Sequence, residues 1–296
     1  MITYNGRQIW KNGFGLNYNY VPPTPPGPSL PPYTIRLKFK DDVTPTFSKG
    51  TGVQVSSSPN IWDLTYENTN WVQLLSHQTD LIEVIAANTS SVVYMNTMFT
   101  GCSALTTVSL FDTSSVTNMN SMFSSCSSLT TVPLFNTSSA TNMGYMFNGC
   151  TSLTTVPLFN TSSATNMSTM FRSCTSLTTV PLFNTSSVTN MGTMFYGCTG
   201  LTTVPLFNTS SATSMGSMFY GCTGLTTVPL FNTSSVTIMT SMFYNCVNVQ
   251  SGALALYQQA SSQATPPRKY SSAFYNCGSN TVTGVAELAQ IPSDWK

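Results

Sequence analysis

The chain has 296 residues, 10 of them Lys or Arg and 9 Asp or Glu, so charged side chains make up 6% and the formal net charge is +1. Soluble domains are about one-quarter charged. The scarcity here excludes a basic footprint for nucleic acid and leaves few titratable groups for acid–base catalysis. With 41% hydrophobic residues the chain is no disordered polar polymer, and Ser, Thr and Asn stand where charge is missing.

In chain order, residues 1–20 carry Tyr4, Ile9, Trp10, Phe14, Tyr18 and Tyr20, too few apolar groups to build a core. Such a segment is expected to order against another chain, as an N-terminal docking peptide. Residues 21–32, VPPTPPGPSLPP, read as a stiff Pro-rich linker. In residues 33–80, Ile35, Leu37 and Phe39 alternate with Arg36, Lys38 and Lys40, which predicts a half-buried strand. Gly50 to Val55 is its expected hairpin partner. Trp71, Leu74, Leu75 and Gln78 then fall on slots that recur downstream, so a degenerate repeat completes an N-terminal cap.

Residues 81–248 hold seven 24-residue units. Cys102, Cys126, Cys150, Cys174, Cys198, Cys222 and Cys246 mark them, as do Met98 to Met242, each followed by Phe, and a second Met column from Met95 to Met239. One unit reads L-T-T-V-P-L-F-N-T-S-S-[AV]-T-N-M-x-x-M-F-x-x-C-x-x. Leu129, Val132 and Leu134 predict a short strand with these three side chains inward and Pro133 outward. The stretch Val188, Met191, Met194, Phe195 and Cys198 fits one face of a helix capped by Ser186 or Ser187, and a looser turn or extended segment fits almost as well. No unit buries its apolar face alone, so the units must stack, at about 4.8 Å per coil and roughly 35 Å in all. Stacking also explains the missing charge. A Lys or Glu in the motif would become a column of like charges about 5 Å apart, whereas Thr, Ser and Asn stack without repulsion. Only Glu83, Asp112 and Arg172 are charged within the array.

In residues 249–296, Ala273-Phe-Tyr-Asn-Cys277 echoes Met242-Phe-Tyr-Asn-Cys246, but 31 residues later. The excess falls in Ser251 to Tyr270, where Ala253 to Ala260 favours a short helix. A helical C-terminal cap over the last coil is the expectation.

The L-x-x-V-x-L and M-F-x-x-C-x-x-L motifs resemble the BspA-like leucine-rich repeats, in the variant common to bacterial surface proteins and predicted proteins of gut bacteriophages. The resemblance covers about residues 71–280. It implies a curved, right-handed leucine-rich-repeat-like solenoid with short parallel strands, used for adhesion or partner binding, with no catalytic residues to transfer. Phe135 and its equivalents depart from it, because many relatives have a polar spacer directly after the strand.

The eight cysteines lack a C-x-x-C pair and His77 stands alone, so a buried thiol ladder is expected rather than a metal site, and no cofactor is called for. His77 is read as a surface residue of the cap. The repeated Asn-Thr-Ser, as at Asn136, matches a glycosylation sequon that repetition alone explains. Two columns are candidate binding surfaces. Phe111, Phe135, Phe159, Phe183, Phe207 and Phe231 follow the inward Leu, so strict alternation turns them outward, while a chain turn at Phe would tuck them into a second core layer. The position after Met-Phe carries Tyr196, Tyr220 and Tyr244, a favoured contact residue.

The residues contain no basic-plus-apolar leader and no run of about 20 apolar residues. A non-enzymatic bacteriophage virion protein is therefore the first expectation. It would be a head or tail appendage, docked to other virion proteins through residues 1–20 and presenting its solenoid to a host surface glycan or protein, with a homo-oligomer as a further option. A bacterial cell-surface adhesin is the alternative. Ice binding by the Thr106–Thr107 ladder is a minor one.

Overall fold

The computed structural model describes residues 2–4, 7–9 and 30–296. Trp10, Phe14, Tyr18 and Tyr20 of the expected docking segment, and most of the expected linker, lie outside the described residues. Strands β1 (Ile2–Tyr4) and β2 (Arg7–Ile9) pair antiparallel, with Ile2 opposite Ile9.

Five further strands, β3 (Thr34–Phe39), β4 (Thr51–Ser57), β5 (Asn60–Thr65), β6 (Leu81–Ala87) and β7 (Thr107–Val108), form one sheet in the order β4-β5-β3-β6-β7. The alternation in β3 is realised: Ile35, Leu37 and Phe39 are buried. Arg36 faces the other way and grips Asp63 on β5 with Nε–Oδ1 at 2.7 Å and Nη2–Oδ2 at 2.8 Å. The expected hairpin partner is corrected. The segment Gly50 to Val55 lies mostly in β4, which pairs with β5, and β5 is the strand beside β3. The reason is burial. β5 supplies the fully buried Leu64 and the buried Asn60, whereas β4 leaves Val53 and Val55 in solvent, as suits an edge strand.

Downstream of β6 the chain is a repeat solenoid. Parallel bridges run through Asn70, Tyr94, Asn118, Asn142, Asn166, Asn190, Ser214, Ile238 and Lys269. Beside them lies a ladder of a particular kind. In one coil Met143, Tyr145, Phe147 and Gly149 donate their N–H groups to Asn166, Ser168, Met170 and Arg172 of the next. The residues between donate locally instead, Met146 to Met143, Asn148 to Tyr145 and Cys150 to Phe147. Every second N–H thus joins coils, as in a strand, while the others close tight turns.

The helix read as one option for this half is absent. Residues such as Tyr145, Thr169, Thr193 and Ser217 sit at φ between 53° and 61°, a left-handed conformation that no α-helix tolerates. Ser186, offered as an N-cap, has its N–H and Oγ on the Oδ1 of Asn184, closing a side-chain turn. Trp71, Leu74 and Leu75 share the ladder geometry, with Trp71 donating to Tyr94 and Leu75 to Met98.

The other half of each coil is not the strand that L-x-x-V-x-L predicted. Only β7 forms one, because Ser109 donates to Val84 at 2.9 Å. From the second coil onward that position is Pro133, Pro157, Pro181, Pro205 or Pro229, and a proline has no N–H to extend the ladder.

At the C-terminal end, helix α1 (Ala253–Ser261) forms where the composition favoured one, and helix α2 (Val282–Gln290) follows. Glu287 of α2 accepts from the N–H groups of Gly252 (3.2 Å) and Leu254 (3.1 Å), placing negative charge at the N-terminus of α1. Gly252 is required there: its φ is 97°, and a Cβ would lie 2.1 Å from the Val228 carbonyl oxygen. Trp295 stacks on Tyr270 at 4.3 Å, and Phe274 N–H donates to its carbonyl at 2.9 Å.

Candidate functional site

The core is built from columns. Phe99, Phe123, Phe147, Phe171, Phe195, Phe219, Phe243 and Phe274 stack ring on ring, 5.1–5.8 Å apart. The Met columns and all eight cysteines are buried as well, and the cysteines are free thiols. Each repeat thiol donates to a carbonyl 27 residues earlier, as Cys150 does to Phe123 at 3.1 Å. Burial pushes the thiols of Cys102, Cys150, Cys198 and Cys246 up to about 12, and those of Cys126, Cys174, Cys222 and Cys277 also rise, so none is a thiolate nucleophile at neutral pH. Among the described residues no group of three His, Cys, Asp or Glu is placed to hold a metal, and no helix is long and apolar enough to cross a membrane.

The outward reading of Phe111, Phe135, Phe159, Phe183, Phe207 and Phe231 is overturned. All six are at most 2% exposed, tucked against the first Phe column, as Phe147 and Phe159 show at 6.1 Å. Their Leu neighbours take the outside: Leu134, Leu158, Leu182, Leu206 and Leu230 are 39–60% exposed. In five of the six coils a hydrogen bond accompanies the exchange, while Phe111, which follows Ser109 and Leu110, is buried without it. Phe135, Phe159, Phe183, Phe207 and Phe231 each donate N–H to the carbonyl of the proline two residues back, at 2.9–3.0 Å. That closes a three-residue turn about Leu, shifts the side-chain parity by one and exchanges the inner and outer residues. The proline in V-P-L-F was the signal that alternation stops there.

This exchange creates a face. A groove of about 510 Å³ is lined by Leu158, Leu182 and Leu206 together with Asn160, Asn184 and Asn208. The Asn side chains are held in place, with Oδ1 of Asn160 accepting from the N–H (3.1 Å) and Oγ (2.7 Å) of Ser162. Beneath them, the buried Thr137, Thr161, Thr185 and Thr209 donate to the Asn carbonyl of the next coil at 2.7–2.8 Å.

The tyrosine column stands on the ladder side. Tyr196, Tyr220, Tyr244 and Tyr275 stack with centroids 4.6 Å apart and planes within 19°. Tyr275, from the echo motif, extends the three residues found by spacing, and its alignment with Tyr244 was the available signal. Arg172 closes the other end, its guanidinium 5.0 Å from the Tyr196 ring centroid, a cation–π contact. Tyr275 is exposed and Tyr196, Tyr220 and Tyr244 are half-buried, because the faces cover one another, so the strip shows ring edges and hydroxyls. Desolvation and its two tyrosine neighbours raise the Tyr220 hydroxyl above its ordinary value, so it stays a protonated donor.

The Thr ladder named for ice binding is exposed at Thr131, Thr155, Thr179 and Thr203. Its companion hydroxyls are engaged within the rod, as Thr154 Oγ1 donates to the Thr130 carbonyl at 3.4 Å.

No curated protein matches the chain. Among solved structures, it is similar to a leucine-rich repeat protein from Eubacterium ventriosum ATCC 27560, at 16% identity and a TM-score of 0.40. The match covers 62% of this chain and 57% of that one. A second similar structure is a TLR13–ssRNA13 complex, at 11% identity and a TM-score of 0.22, covering 58% of this chain and 34% of that one. The chain thus spans less than two-thirds of the length of either. The resemblance to BspA-like leucine-rich repeats holds. Residues 69–179 and 154–255 match one family twice in overlapping register, together more than half of the chain, which therefore belongs to the family described as "Mycoplasma protein of unknown function, DUF285".

Proposed function

We propose that this chain is a non-enzymatic binding rod whose tyrosine strip, from Arg172 to Tyr275, engages an uncharged or weakly acidic glycan on a biological surface. The observation that carries the reading is the strip itself. Four stacked rings offer hydroxyls in line at a 4.6 Å repeat, ending in one guanidinium. A polymer with hydroxyls at regular intervals suits such a row, and Tyr supplies contact area together with a hydrogen-bonding tip. In this reading the N-terminal sheet and helices α1 and α2 act as caps, covering the open ends of the stack.

A bacterial cell surface is the setting compatible with the family. The virion appendage anchored by residues 1–20 is carried by the sequence reading alone. The test is binding of the full chain to an array of bacterial and host surface glycans, comparing wild type with Y196S/Y220S/Y244S. These positions are half-buried and lie outside the core, and an unchanged melting temperature of the variant is the control for its fold. The expected result is a loss of at least about tenfold in affinity, in line with hot-spot aromatic truncation. Equal binding by the two proteins would refute the reading.

A further inference from the structure

We infer that the row Leu134, Leu158, Leu182, Leu206 and Leu230 is a self-association face, on which two copies of this chain pack rod against rod. Single exposed leucines need no explanation, but five in one column at 39–60% exposure form a continuous apolar stripe, and such stripes mark interfaces. This inference is independent of the tyrosine strip, which stands on the ladder side of the coil.

Charge selects the occupant. Between residues 113 and 267 the only charged side chain is Arg172, and it caps the tyrosine column rather than the leucine row. A partner with an ordinary charged surface would have its Lys and Glu desolvated here with nothing to pair them. A second copy of the same face brings none. The spacing matches too. Each row repeats once per coil, at about 4.8 Å, so two copies stay in register along the whole face.

The size of the face sets the strength. Five coils span about 24 Å, and with the flanking Thr and Asn rows the strip offers about 500 Å² per copy, less than the about 800 Å² of a standard interface. The dimer is therefore reversible, with a dissociation constant in the micromolar range.

The test is sedimentation velocity of the full chain from about 1 to about 200 µM. The wild type is expected to shift from monomer to dimer over that range, at low and at high salt alike, because no ion pair contributes. L158N/L182N/L206N is expected to stay monomeric with an unchanged melting temperature. A second measurement uses the inert native thiols. Leu182 is the middle of the five, so a two-fold axis places it beside its own copy whether the rods run parallel or antiparallel, and L182C is expected to form a cross-linked dimer under mild oxidation, while L134C cross-links only if the rods run parallel. A wild type that stays monomeric at every concentration overturns the inference, as does a dimer that persists in the triple variant. If deleting residues 1–29 alone creates the dimer, the occupant is the chain's own N-terminal segment, which also overturns it.

Discussion

The two flanks of each coil are stacked by different forces. On the M-x-x-M-F-x-x-C flank, four backbone hydrogen bonds join each coil to the next, and every second residue closes a local turn. On the V-P-L-F flank the prolines remove the donors, and the coils are held by the buried second Phe column and by buried Thr hydroxyls bonded to carbonyls of the neighbouring coil. Inner rings on the ladder flank lie 5.1–5.8 Å apart, whereas on the other flank the separation ranges from 5.0 Å for Phe111 and Phe135, which are tilted, to 6.4 Å for Phe183 and Phe207. Backbone pairing fixes a spacing, while side-chain packing accommodates one. The ladder flank accordingly displays a tightly stacked tyrosine column, and the proline flank an open row of leucines above a groove.

The largest expected effect breaks the ladder flank at high pH. Burial pushes the thiols of Cys102, Cys150, Cys198 and Cys246 up to about 12 from an ordinary value of 9.0. Below pH 9 both folded and unfolded chains are protonated and stability is complete. Between pH 9 and 12 only the unfolded chain releases its protons, so stability falls as pH rises, by up to about 1.4 kcal/mol per pH unit for each thiol. Thermal melting should be level from pH 6 to about 8 and collapse above about 10. Replacing Cys150 and Cys198 by Ala should flatten that slope.

The next prediction tests the parity exchange on the proline flank. Phe183→Ala should cost about 3–5 kcal/mol in denaturant unfolding, whereas the adjacent Leu182→Ala should change stability by less than about 0.5 kcal/mol. The reverse order would restore strict alternation. On the same flank Thr185→Val removes the hydroxyl that donates to Asn208 and leaves that carbonyl without its partner, for an expected loss of about 1–2 kcal/mol in the same assay. The smallest effect concerns the ladder's turns. Tyr145 is exposed and held at φ 57°, so Tyr145→Gly should raise stability by about 0.5–1 kcal/mol. Unchanged or lowered stability would show that its ring contributes more than its backbone costs.

Much of the architecture was legible beforehand because it depends on translation. Any residue that recurs every 24 positions must stack on its own kind, so the Cys, Met and Met-Phe columns declared a core. Charge was absent for the same reason. Trp71, Leu74 and Leu75 could be aligned to the array, and Ala253 to Ala260 declared a helix through composition. What failed depended on local backbone geometry. Alternation placed Leu134 inside and Phe135 outside, and one N–H bond from Phe135 back to Pro133 reversed both. Apolar spacing from Val188 to Cys198 fitted a helix, yet left-handed residues such as Thr193 turn the same spacing into a chain of tight turns. Strand partners also escaped, since β5 and β4 look alike until burial of Leu64 separates them.

By itself, then, the sequence determined that this protein is a stack, what fills its interior and why it is nearly uncharged, because repetition turns each residue type into a column with a calculable cost. Only the tertiary structure decided which columns face the solvent. That choice rests on side-chain parity, and in the five proline coils the inward turn of Phe is fixed by a backbone N–H that finds its acceptor two residues behind rather than in the next coil.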